Sequence, residues 1–201
     1  MPRIAVAFGV FRLTALLLAG GLSACASSRP VIGPNVAASS RHPGITCAPF
    51  ARELSGIALY GDADTWWAAA AGRYGRSAQP QIGAVLVMHR SSRLPSGHVA
   101  VVSRVLAPRQ VLVIQANWVP EEVTEDQLAI DVSPHNDWTE VRMWWPPTDR
   151  LGGHTYVAYG FILPPTPTTH DTLRRAARPA AQLAQEAAIG RPPPAARRLG
   201  G

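Results

Sequence analysis

The chain has 201 residues, of which 47% are apolar, enough for one ordinary domain core and too many for a wholly disordered chain. Its formal net charge is +6 and every one of its 19 basic residues is Arg, but residues 1–46 carry +4, residues 171–201 carry +4, and the stretch between them carries −2. The basic pI therefore belongs to the tails, and a nucleic-acid binder with a charged stripe on its folded body is disfavoured.

The N-terminus reads as an export signal. Arg3 and Arg12 precede a ten-residue apolar run, Leu13 to Leu22. That run is shorter than the ~20 residues a membrane span needs and suits a signal-peptide core. Leu22-Ser23-Ala24-Cys25 then resembles the bacterial lipobox, whose Cys becomes the lipidated first residue. On that reading residues 1–25 are the signal and acyl chains on Cys25 anchor the protein to a membrane. Ala26 behind the Cys favours the outer membrane, and an ordinary signal peptide giving a secreted protein is the alternative. With Cys25 so used, Cys47 has no partner for an internal disulfide. An unpaired thiol in an oxidising compartment is expected to be buried or used.

Residues 26–44, rich in Ser, Pro, Gly, Ala and Arg, read as a flexible tether. The body is expected over 45–165. Phe50, Leu54 and Ile57 share one helical stripe in a segment opened by Cys47, with Pro49 tolerated in the first turn. Asp62 to Asp64 predict the cap of a short second helix, Thr65–Gly72. Ile82–Met88 reads as a buried strand and 91–97 as a loop. His98–Leu106 and Val111–Trp118 read as a hairpin joined by Ala-Pro-Arg-Gln. Val141–Trp145 and Tyr156–Leu163 complete the strands, and the acidic run Glu121–Asp126 reads as a solvated loop or helix start. Thr172–Ile189 has some helical character, but Pro192–Pro194 and the closing glycines argue that 166–201 is a disordered basic tail. The fold class expected is α+β, with N-terminal helices packed on an antiparallel sheet of about five or six strands.

Four residues stand out by position. Cys47 begins a helix, where unpaired amides and the helix dipole stabilise a thiolate. His98 begins a strand at the rim of the sheet. Gln115 and Asn117, two apart, share a face of the next strand, so either can point at an imidazole on the adjacent strand. If the hairpin turn centres near 108–109, His98 falls opposite a residue close to 119, and Asn117 lies within diagonal reach. Such a set provides a nucleophile, a proton shuttle and an oxygen that fixes the imidazole tautomer. Trp118, beside it, is the one tryptophan expected to face a substrate groove. His89, His135 and His154 lack metal-ligand spacing, and no phosphate loop occurs, so no metal or other cofactor is expected.

These residues, with Cys47–Ile57, Pro80–Met88, Gly97-His98-Val-Ala-Val102 and Ile114-Gln-Ala-Asn-Trp118, resemble a CHAP domain, the cysteine- and histidine-dependent amidohydrolases and peptidases of bacterial cell walls, relatives of NlpC/P60 and papain-like enzymes. The resemblance spans about 120 residues. It implies a papain-like fold, a peptidoglycan hydrolase, Cys47 as nucleophile, His98 as general base, Asn117 as a ring-orienting partner, and peptidoglycan stem or cross-bridge peptides as substrate. Many members carry an acid where this chain has Gln115, which accepts a hydrogen bond but cannot offset imidazolium charge. That substitution motivates an alternative, a catalytically silent CHAP-like lipoprotein that binds wall peptides or partner proteins. A third reading is a surface lipoprotein whose C-terminal arginines bind anionic wall polymers.

Overall fold

A computed structural model describes residues 39–190. The signal, the lipobox with Cys25 and most of the tether lie outside the described residues. The element order begins with β1 (Ser39–Arg41), α1 (Cys47–Ser55), a 3₁₀ turn (Ala63–Thr65), α2 (Trp66–Ala69), β2 (Arg76–Ser77) and β3 (Val85–Met88). The hairpin β4 (His98–Ala107) and β5 (Gln110–Ala116) follows, then β6 (Glu122–Asp131), β7 (Glu140–Trp145), β8 (Arg150–Leu151), β9 (Tyr156–Ile162) and α3 (His170–Ala188).

Every pairing among the described residues is antiparallel. Strands run β6-β5-β4-β3-β9-β7, and β7 pairs again with β6, closing a six-stranded barrel. The α+β class and the strand number of the barrel hold, and closure, which the sequence alone does not predict, removes the free edges that an open sheet would expose. Helices do pack on this sheet, as α1 does through Phe50 and Leu54, and what they cover is a closed barrel.

Closure explains why the strand sequences are apolar on both faces. Leu86 and Met88 of β3, Ala100 and Val102 of β4, and Val111 and Val113 of β5 belong to one buried cluster with Trp138, Met143 and Phe161, which fills the barrel. Their neighbours Val85, Val87, Val99, Val101 and Ile114 belong to a second cluster with Phe50, Leu54 and Ile57. The alternation follows from the strand period of two. The predicted stripe of α1 is thus its buried face, and Gly56 ends the helix at φ 72° with its N–H on Arg52 O.

Three expectations need correction. The run Glu121–Asp126 is neither a solvated loop nor a helix start, because β6 takes in Glu122 onward and closes the barrel. Its acids face basic groups that are distant in sequence: Glu125 meets Arg174 at 3.1 Å and Asp126 meets His170 at 3.1 Å. The disordered-tail reading fails over 170–188, where α3 buries Leu173, Ala177, Ala180, Ala181 and Ala184 in the α1 cluster. Thr169 caps it by accepting from the Thr172 N–H, and Pro179 sits within the helix. Within the proposed tether, Ser39–Arg41 pairs with Thr124–Glu122 as an added edge strand.

Candidate active site

α1 opens at Cys47, preceded by Thr46 in extended conformation with no side-chain cap bond. The first-turn amides of a helix have no intrahelical acceptor, so they remain available to an anion at this end. The Cys47 thiol is half-buried. Burial pushes its pKa up, yet the His98 charge, a side-chain hydrogen bond with His98, and the backbone amides of Val99 and Ala48 pull it down further, so the net direction is below an ordinary thiol.

His98 is held at the barrel mouth by its neighbours. Gly97, at φ 72°, lies against the turn that carries the 3₁₀ segment: a Cβ there would sit 2.7 Å from both Asp64 N and Met88 O. Only glycine fits that approach. Asp64 N–H donates to Ser96 O at 3.1 Å, and Arg90 ties the same turn down by donating to Asp62 (3.0 Å) and Asp64 (3.0 Å). The Asp62–Asp64 run predicted as a helix cap makes no side-chain cap bond and serves in this ion-pair set instead.

The ring of His98 is 3% exposed, and its Nε2–H donates to Gln115 Oε1 at 3.0 Å. With Nε2 so occupied, Nδ1 is the nitrogen left to face the thiol. Gln115, fully buried, is therefore the oxygen that holds the ring. Asn117 is not: its Oδ1 accepts from Glu121 N–H at 3.0 Å, and it adopts φ 60° where β5 turns towards β6. Asn117 still lines the cleft beside Cys47 and His98.

The hairpin register explains how Gln115 comes within reach, and the turn at Asn117 explains why that amide faces Glu121 instead. The connection is shorter than predicted, with Ala107 opposite Gln110 across Pro108-Arg109. Irregularities between Val102 and Arg104 and between Val105 and Ala107 then shift the pairing, so that Val101 faces Ile114. That shift carries β5 two places along β4 and brings Gln115 into diagonal reach of His98.

The orienting amide has polar company. Thr124 is the partner of Gln115 across the β5–β6 ladder, and it too is buried, at 1% exposure. Gln115 Nε2 and Thr124 Oγ1 have no hydrogen-bond partner among the described residues.

Cys47 and His98 open into a cleft of about 570 Å³ whose walls are the start of α1, the Gly61–Ala63 turn and the loop Arg93–Gly97. Trp118 packs against His98 with ring centroids 5.1 Å apart and donates its Nε1–H to Trp144 O at 3.0 Å. The sequence singled out Cys47, His98, Gln115, Asn117 and Trp118, and the structure gathers all five. It adds the Val99 and Ala48 amides and Arg93, which no sequence pattern marks. A buried amide contact is set by register, and Arg93 is an ordinary loop residue until the loop folds over the cleft.

Residues 37–117 match the family model described as the CHAP domain. No curated protein and no solved structure matches the chain. Over these residues the chain is similar to the CHAP domain, a family of peptidoglycan-related amidases and peptidases. The match ends at the residue where β5 turns into the β6 connection, and the barrel continues for three more strands.

Proposed function

We propose that this chain is a cysteine amidohydrolase or peptidase that cleaves amide bonds in peptidoglycan. One observation carries the reading: a thiol whose acidity is raised chiefly by an imidazole, itself held by a buried side-chain oxygen, at the floor of an open cleft. The Cys47 thiolate attacks the amide carbonyl carbon, forming a C–S bond and placing charge on the carbonyl oxygen. The Cys47 backbone N–H at the start of α1 contributes to an oxyanion site. His98, carrying the proton taken from sulfur, protonates the amine as the C–N bond breaks. Water, deprotonated by His98, then attacks the thioester, releasing a carboxylate and restoring the thiol. Gln115 keeps Nδ1 aimed at sulfur throughout but supplies no negative charge to the imidazolium.

Purified sacculi digested with the protein are expected to release new amine and carboxyl termini, and mass spectrometry of these termini distinguishes an amidase from an endopeptidase. Cys47→Ala digesting as well as the unmutated protein would overturn the reading. A thiol that titrates like a free cysteine, with no digestion, would leave the silent wall-binding module. We further infer that residues 1–25 direct export and that Cys25 bears the lipid anchor. Cys25→Ala is expected to move the protein from the membrane fraction to the soluble one.

A further inference from the structure

A second cleft, of about 370 Å³, lies on the far side of Trp118 from the thiol, and nothing in the proposed chemistry uses it. Trp118, Trp145 and Tyr156 form its aromatic walls, and Arg93, Arg150 and His154 stand at its rim. No carboxylate lines it, and among the described residues neither Arg93 nor Arg150 has an acid within ion-pair distance. The other arginines near the active cleft are committed, as Arg90 is to Asp62 and Asp64.

Two residues join this cleft to the active one. Arg93 lines both. Trp118 touches His98 on one side and meets Tyr156 and Trp145 edge-on at 5.2 and 6.4 Å on the other. Its bond to Trp144 O holds the dividing ring in place. A chain whose scissile carbonyl sits at Cys47 therefore has one continuous path over Trp118 to a cationic rim with an apolar floor. Guanidinium groups of that kind take carboxylates in paired hydrogen bonds, and the aromatic walls take the aliphatic part of the same residue.

Resting on the proposed function, we infer that this second cleft is a subsite for a carboxylate-bearing residue of the substrate peptide, read by Arg93 and Arg150. In a lysine-containing stem the carboxylate comes from one of two places: the free α-carboxylate of a γ-linked glutamyl residue, or the C-terminal carboxylate of the stem.

The test uses the full chain with Cys47→Ala, so that binding is read without turnover, by tryptophan fluorescence. The probes are the synthetic stem L-alanyl-γ-D-glutamyl-L-lysyl-D-alanine and its two monoamides, one at the glutamyl α-carboxylate and one at the C-terminus. One monoamide is expected to bind about tenfold more weakly than the acid, and which one it is identifies the source. Arg150→Glu and Arg93→Glu, each added singly on exposed side chains, are expected to weaken binding of the acid to the level of that monoamide. Equal binding of all three peptides, a preference that survives both Arg→Glu changes, or no binding at all would overturn the subsite. Failure of the unmutated chain to digest sacculi sinks the proposed function but leaves this carboxylate preference measurable by itself.

Discussion

Residues 47–117 and 118–190 each supply three strands to the barrel, β3 to β5 and then β6, β7 and β9, but they contribute different things. The first stretch holds the thiol, the imidazole, the orienting amide and the backbone donors, all within the family match. The second closes the barrel, covers α1 with α3, and brings in Trp118, Trp145, Arg150 and Tyr156. Reaction chemistry tolerates little displacement, so its residues cluster on a few adjacent elements. Enclosure and recognition can be built from packing and charge that many sequences satisfy, which fits a family signature that stops at Asn117.

Substitutions can separate the two contributions. The largest effect belongs to the first stretch: Cys47→Ala or His98→Ala is expected to lower the release of new termini from sacculi by about 10³-fold or more, with thermal unfolding little changed for Cys47→Ala. In His98→Ala the thiol loses the two strongest influences that lower its pKa while burial, which raises it, remains. Its alkylation-against-pH curve is therefore expected to move to higher pH. In the unmutated protein the same curve is expected to lie below that of a free cysteine, with reactivity falling only as pH drops through that lowered value.

Next comes the core of the second stretch. Trp138 is fully buried, packs edge-on against Phe161 at 5.1 Å and donates its Nε1–H to Pro108 O at 3.1 Å. Trp138→Ala is expected to cost about 3–5 kcal/mol in denaturant unfolding, with the thiol titration of the folded protein unchanged. A shifted titration would mean that the two stretches are not separable.

Smaller effects sharpen the site itself. Gln115→Ala removes the oxygen that holds His98 and is expected to lower kcat by about tenfold to a hundredfold, while Gln115→Glu restores the hydrogen bond and much of the rate. Asn117→Gly keeps the left-handed backbone and loses only the bond to Glu121. It is expected to cost less than about 1 kcal/mol and to leave the thiol titration in place. If Asn117→Gly abolished turnover while Gln115→Ala did not, the roles assigned to these two amides by their hydrogen bonds would be reversed.

Read alone, the sequence determined the features that are local or periodic. Phe50, Leu54 and Ile57 mark one helix face, the β-branched runs mark β3 to β5, and Cys47 and His98 stand at element starts. The tertiary structure decided the rest. Two irregularities in one hairpin bring Gln115 within diagonal reach of the imidazole, and the left-handed turn at Asn117 gives the other amide to Glu121 N–H, neither of which composition reveals. The acidic run became β6, and the Arg- and Ala-rich segment became a packed helix, because each satisfies charges or apolar surface on the other side of the chain. Barrel closure, too, is a property of β6 meeting β7, a contact that no single segment encodes.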